Sequence, residues 1–346
     1  MKINSRITSL LLPLVCLSMT CTKESKFMPD TELSVAFYNL DNLFDPIDDP
    51  GTGDDEFTPN GKYKWTKKRY QQKLNNMEKV ISVLANGYCP DILGVCELES
   101  GVALKDLLNT GALRQHYQYV HFDSPDERGV DVALAYNSSK IEVIESQAFM
   151  VNLSKDSGDR TRDVLWVKCL SKSSLDTLNF IVCHFPSRRE GKMESEQNRL
   201  DAAKTVKKVI SEKVKAQHLV LMGDFNDQPK DKSMSQIIGA EDYNNNPNAA
   251  LFNLMYEFYK DDVGSYFYRG HWERIDQLII SRSLRDNVGI DYNNKSVKAT
   301  YFEWLIQKGK YKGYPLRTFG GDKWLNGYSD HLPVYMVLQL NKNGKN

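Results

Sequence analysis

Six apolar, strand-like runs carry polar residues directly at one end, and the types of those residues together suit cleavage of a phosphoester. Asn39 follows Val35-Ala36-Phe37-Tyr38, Glu97 follows Ile92-Leu93-Gly94-Val95-Cys96, and His184 follows Phe180-Ile181-Val182-Cys183. Asp224 and Asn226 close Leu219-Val220-Leu221-Met222-Gly223, Asp276 opens Gln277-Leu278-Ile279-Ile280, and Asp330 with His331 opens Leu332-Pro333-Val334. One such residue alone is ordinarily a turn former. Six such places on one rim would make a cleft. Magnesium takes hard oxygen ligands and keeps several waters, and Glu97 with Asn39 and Asp330 offers such ligands. A bound metal polarises phosphoryl oxygens and acidifies water. Asp224 can hold an attacking water, while His184, Asn226 and His331 can donate to developing charge. Asp276 behind His331 would fix its tautomer and favour its charged form.

The elements that must position these residues are mostly strands. Runs at 34–38, 92–96, 130–136, 164–170, 178–184, 219–222, 277–280 and 334–340 are rich in Val, Ile, Leu and aromatics. Leu74, Met77, Val80, Ile81 and Leu84 form one helical stripe within 68–84, and Ala202, Ala203, Val206 and Val209 or Ile210 form another within 202–210. The stretches 45–60 and 244–248 read as surface loops. Helices fall between strands, and both strand groups must cover apolar faces. A two-sheet sandwich with outer helices in one α/β domain is therefore expected.

Lys plus Arg and Asp plus Glu balance at 45 each, which gives no support for tight non-specific nucleic-acid binding. At the N-terminus, Lys2 and Arg6 form a basic start before an apolar run over 7–17 that is too short to span a bilayer and suits a secretory leader. Cys21 follows it, and lipidation of Cys21 and plain cleavage both remain open. The leader is taken as 1–26 and the folded domain as 27–346, exported to the periplasm or outer membrane as a lipoprotein, or secreted. No protein partner is indicated and a monomer is expected. No Cys-x-x-Cys pair is present, so zinc is not indicated. Cys96, Cys169 and Cys183 sit in apolar runs and are expected as buried free thiols, although export permits a disulfide.

Ala36-Phe37-Tyr38-Asn39, Leu93-Gly94-Val95-Cys96-Glu97, Val182-Cys183-His184, Met222-Gly223-Asp224-Phe225-Asn226, Ile275-Asp276 and Ser329-Asp330-His331 occur in an order that resembles the endonuclease/exonuclease/phosphatase superfamily. The resemblance runs from about residue 34 to 340 and implies a four-layer α/β sandwich of two mixed sheets. It implies that Glu97 is the principal metal ligand, for Mg2+ or Mn2+, with Asn39 beside it and Asp330 next to the metal. His184 resembles the histidine that contacts the scissile phosphate, Asp224 the residue that orients water, and Asn226 its transition-state partner. Asp276 and His331 resemble an acid–histidine pair. The implied activity is metal-dependent phosphoester hydrolysis by an exported phosphodiesterase or endonuclease. A hydrolase of a lipid headgroup or small phosphate ester is the alternative. A non-catalytic binding protein on the same fold is the second alternative. It predicts loss of one or more catalytic positions, whereas all six strand-end sites hold the expected residue types. Convergence of Glu97, His184, Asp224, Asn226, Asp276 and His331 in one cleft separates the two readings. Export argues against the abasic-site repair branch.

Other residues leave two readings open. Arg188 and Arg189 either bind substrate phosphate or form a solvated loop pair. Asp131 either supports the first histidine, as a carboxylate does in some members of the family, or starts a strand. Arg160-Thr161-Arg162-Asp163 either lines the cleft or makes a turn. Phe319 and Trp324 are candidates for an exposed apolar loop at a lipid surface. The Asp45–Trp65 segment, with Asp48, Asp49, Asp54, Asp55 and Glu56, lacks EF-hand spacing and reads as a solvated acidic insertion that repels polyanions.

Overall fold

A computed structural model of the chain describes residues 26–155, 158–215, 217–258 and 263–341. Cys21 and the leader up to residue 25 lie outside the described residues. Among the described residues no helix is long and apolar enough to cross a membrane.

In chain order, β1 spans Glu32–Leu43, β2 Ile92–Leu98, β3 Tyr117–His121 and β4 Asp131–Asn137. β5 spans Ile141–Phe149, β6 Val164–Ser171, β7 Thr177–His184 and β8 His218–Asp224. The short β9 (Ala240–Glu241) and β10 (Leu251–Asn253) follow, then the hairpin of β11 (Tyr266–Tyr268) and β12 (His271–Glu273), then β13 (Asp276–Ser281). β14 (Ile290–Tyr292), β15 (Lys298–Ala299), the hairpin of β16 (Phe319–Gly320) and β17 (Lys323–Trp324), and β18 (Val334–Leu340) come last. The α-helices are α1 (Lys67–Ile81), α2 (Gly101–Leu108) and α3 (Glu196–Val209).

Two seven-stranded sheets form the centre. One runs β14-β18-β1-β2-β4-β3, with β15 beside β18, and the other runs β5-β6-β7-β8-β13-β10-β9. Strand alternation divides the core into layers. Leu33, Val35 and Phe37 of β1 face the second sheet and meet Val167, Phe180, Val220 and Leu278. Ala36 and Tyr38, on the opposite face, meet Leu74, Met77, Val80 and Ile81 of α1 and Leu104 and Leu107 of α2. The outer face of the second sheet packs Ile181, Leu219, Leu221 and Ile279 against Ala202, Ala203, Val206 and Val209 of α3. The order is helix, sheet, sheet, helix, as the family resemblance implies. Thr66 starts α1 by accepting the Arg69 N–H, and Ser100 starts α2 by accepting the Ala103 N–H. Cys89, Cys96, Cys169 and Cys183 are buried, and Cys96, Cys169 and Cys183 are free thiols.

Strand direction determines where the polar ends meet. β1 and β2 are parallel, so their C-terminal ends share a rim, and β18 runs antiparallel to β1, so it starts there. In the second sheet β7 and β8 are parallel and β13 is antiparallel to β8. His184, Asp224 and Asp276 are direct cross-strand neighbours in that register. Gly223 permits the close approach, because a Cβ there would run into the Cys183 carbonyl.

Candidate active site

Glu97 reaches the cleft through a bulge. Cys96 pairs with Val132 and Leu98 with Asp131, which leaves Glu97 as the extra residue of β2. Val95 and Leu98 both face the helices, so simple alternation would send Glu97 to that face too. Its left-handed backbone, with φ of 56°, goes with the bulge and turns the carboxylate away. Asp41 and Asn226 on the same rim also hold positive φ, 51° and 49°. Strained conformations of this kind collect at functional sites.

The carboxylates and imidazoles converge tightly. His184 Nε2 lies 3.7 Å from Glu97 Oε1 and 3.8 Å from Asp224 Oδ2. His331 Nε2 is also 3.8 Å from Asp224 Oδ2, and its Nδ1 is 2.6 Å from Asp276 Oδ2. Asn39 Nδ2 donates to Asp224 Oδ2 at 3.2 Å, and the Asn226 N–H donates to Asp224 Oδ1 at 2.9 Å. Asn226 Nδ2 donates to the Phe185 carbonyl at 3.1 Å, and its second amide hydrogen has no protein acceptor among the described residues. Asn39, Glu97, His184, Asp224, Asn226, Asp276 and His331 therefore occupy one cleft, which runs across the aligned rims of both sheets.

The charge states differ although the two histidines are equally buried. Burial lowers the His184 pKa well below its ordinary value, and Arg162, Arg128 and His331 push it the same way, so this imidazole is neutral. Burial acts likewise on His331, but Asp276 and Asp224 outweigh it and hold that imidazole charged well above the ordinary value. Asp224 is raised, first by burial and then by the charge of Asp276. Asp224, Asp276 and His331 are close enough to hold an ion, yet a protonated His331 cannot ligate one. The Glu97–Asn39 end fits a metal better. Among the described residues no donor is hydrogen-bonded to the Glu97 carboxylate, and the Asn39 amide oxygen accepts only the Asp41 N–H at 2.9 Å, leaving a lone pair.

The remaining expected residues have separate fates. Asp330 lies on the rim, but Arg317 Nη2 takes its Oδ2 at 3.0 Å and also approaches Asp41 Oδ1 at 3.4 Å. Arg188 is not free for phosphate: Glu273 of the hairpin holds it in a two-point ion pair. Arg189 is exposed and makes no side-chain contact with the others. Asp131 does not support His184. Its Oδ2 meets His121 Nε2 at 2.8 Å and its Oδ1 accepts the Ser124 N–H, so both oxygens are occupied. Arg162 is buried beside His184, donating to Asp126 and to the Phe185 carbonyl. Phe319 and Trp324 form no exposed apolar loop, because both pack on Trp65. Asp227 is structural and binds the fully buried Arg199 of α3 at 2.7 Å.

Sequence reading missed four residues around the cleft. Arg317 and Asp41 form the ion-pair network beside Asp330. Tyr266 packs its ring 4.8 Å from that of His331, and its hydroxyl pKa is pushed up to about 12, chiefly by burial and then by Asp330. Lys73 is fully buried and donates to Thr318 Oγ1 and to the Tyr328 carbonyl, both at 2.6 Å. Only Lys73 left a signal: a lysine one turn before Met77, within the apolar stripe of α1.

A family model described as Endonuclease/Exonuclease/phosphatase family matches residues 34–340. No curated protein matches the sequence. Among solved structures, a humanized D. rerio TDP2 is similar at 13% identity and a TM-score of 0.58, over 89% of this chain and 99% of that one. The mannosyl-6-phosphatase of Bacteroides thetaiotaomicron is similar at 19% identity and a TM-score of 0.54, over 88% and 99%. The human Nocturnin catalytic domain with bound sulfate is similar at 14% identity and a TM-score of 0.55, over 90% and 94%. At these identities the likeness is one of fold.

Proposed function

The chain belongs to the endonuclease/exonuclease/phosphatase family, and from that premise we propose that it is a divalent-metal-dependent phosphoester hydrolase in which water attacks phosphorus. The observation that carries the reading is the placement of His184 Nε2 between the Glu97 and Asp224 carboxylates, at 3.7 and 3.8 Å. One carboxylate is left for a metal and the other for water. Magnesium or manganese held by Glu97 and Asn39 would polarise the phosphoryl oxygens. Asp224, fixed by Asn39 and Asn226, accepts the proton of the attacking water. His331, kept charged by Asp276, donates from Nε2 to the phosphoryl oxygens, and the free amide hydrogen of Asn226 adds a second donor. Neutral His184 donates to the phosphate from the opposite wall.

The mature chain should hydrolyse bis-p-nitrophenyl phosphate with magnesium or manganese and lose that activity in EDTA. Undiminished turnover in chelator would sink the metal mechanism. Asp276→Asn is expected to lower kcat on the order of 100-fold, as loss of a preorganised donor does. His331 would then lose its proton nearer its ordinary value of 6.5. The alkaline limb of the pH–rate profile should therefore move to lower pH, and an unmoved limb removes His331 from the role.

The acidic rim favours a small phosphoester over a polyanion. Burial and then neighbouring carboxylates, Asp54 and Asp106 among them, raise the carboxyl pKa of Asp45. Burial with Asp45 and Asp54 raises that of Glu99 beside the Glu97 strand end, and such an acidic field repels nucleic acid. Plasmid DNA, RNA, sphingomyelin and inositol phosphates, each with and without magnesium, separate the classes. Nucleic-acid turnover that falls steeply with salt supports the nuclease reading. Export through the leader belongs to the same proposal, and the mass of the mature N-terminus, with or without a lipidated Cys21, tests it.

A further inference from the structure

Arg317 stands between the two ends of the cleft. Its Nη2 lies 3.0 Å from Asp330 Oδ2 and 3.4 Å from Asp41 Oδ1. Asp330 immediately precedes His331, and the Asp41 N–H donates to the Asn39 amide oxygen at 2.9 Å. The guanidinium is therefore one residue removed from the His331 donor on one side and from the Asn39 end on the other. Its segment is held in place. The Thr318 N–H donates to Asp41 Oδ2 at 3.0 Å, and buried Lys73 donates to Thr318 Oγ1 and to the Tyr328 carbonyl, both at 2.6 Å. Ser329 Oγ donates to the Asn39 carbonyl at 2.8 Å, so the chain from Arg317 to His331 is tied to β1 near both ends.

Two other arginines near the cleft spend both terminal nitrogens on the protein. Arg188 gives its pair to Glu273, and buried Arg162 gives Nη1 to Asp126 and Nη2 to the Phe185 carbonyl. Arg317 spends only Nη2. Among the described residues no acceptor takes Nη1, and Nε is buried without a partner. The side chain is 42% exposed, so it is open to a ligand on the rim.

We propose that Arg317 binds the phosphate of the substrate and selects a phosphate monoester, an inference that rests on the hydrolase reading above. In that reading His331, Asn226 and His184 already donate to phosphoryl oxygens. A diester has two unesterified oxygens and one negative charge. A monoester has a third such oxygen and a charge of about −2 at neutral pH. Arg317 Nη1 supplies a donor and a positive charge for that third oxygen, in a charge-assisted bond. The same guanidinium masks Asp41 and Asp330, which would otherwise repel a dianion.

Both p-nitrophenyl phosphate and bis-p-nitrophenyl phosphate release p-nitrophenol, and they differ in charge. Arg317→Gln should lower the ratio of their kcat/KM values, monoester over diester, by about 10- to 100-fold, as loss of a hydrogen bond to a charged group does. Asp330→Asn leaves Arg317 in place, and there the ratio should hold or rise. Equal losses on both esters in Arg317→Gln, or the same fall of the ratio in Asp330→Asn, make Arg317 a prop for Asp330 and overturn the proposal. If Arg317→Gln does not fold alone, combining it with Asp330→Asn removes the stranded carboxylate. The ratio should then fall about tenfold or more below that of Asp330→Asn, and an unmoved ratio overturns the proposal. Calorimetry with inorganic phosphate and magnesium reads the same contact without turnover. Phosphate should bind the parent chain, and bind Arg317→Gln about tenfold or more weakly. Equal affinities, or no phosphate binding to the parent, overturn the assignment. A parent that binds phosphate through Arg317 yet cleaves neither ester sinks the hydrolase reading instead.

Discussion

Asp224→Asn is expected to lower kcat about 1,000-fold, within the range for loss of a positioned general base, without loss of the fold. Asparagine keeps the shape and, with its single amide oxygen, can keep one of the two bonds from Asn39 and Asn226, but it cannot take a proton from water. The stability result should run the other way. Asp224 is 2% exposed and its carboxyl pKa is raised by burial and then by Asp276. A carboxyl whose folded value is raised binds its proton more readily in the native state. Its ionised form therefore weakens the fold as pH rises above the unfolded value near 3.8. Removing that charge should leave the melting temperature at neutral pH unchanged or higher. Steady-state kinetics and a thermal melt on the same preparation check both halves. A kcat within tenfold of the parent would remove Asp224 from the water-activating role.

Glu97→Gln should cost about 1,000-fold or more in metal-supported turnover, because the charge stabilisation supplied by a bound ion amounts to several kcal/mol. Glutamine keeps the length of the side chain at the bulge and removes only the charge. The signature that separates a ligand from a merely structural residue is the response to metal. Magnesium should raise the melting temperature of the parent chain and leave that of Glu97→Gln unmoved. If magnesium stabilises both equally, the ion is held elsewhere, and the Asp224–Asp276–His331 group becomes the candidate.

The residue types of the cleft were legible because strand ends are local events. An apolar run that stops at His184 or at Asp224 can be seen without knowing its neighbours. The long strands and α1 were legible for the same reason, through alternation and the stripe from Leu74 to Ile81. β5 was not, since its pattern is half exposed along an edge of its sheet. α2 was missed because eight residues give a short stripe that cannot be told from a buried strand.

What the sequence determined by itself is the inventory: which residues can bind a metal, hold water or donate to phosphate, and that each stands where a strand stops. Tertiary structure alone decided their partners and charge states. Asp131 went to His121 and Arg188 to Glu273, because contacts between residues 10 and 85 apart follow from strand pairing and loop packing rather than spacing. His184 and His331 are both buried histidines at strand ends, yet one is neutral and the other charged. The sign is set by which groups face each ring across the cleft, and in a buried site those neighbours outweigh anything the local sequence contributes.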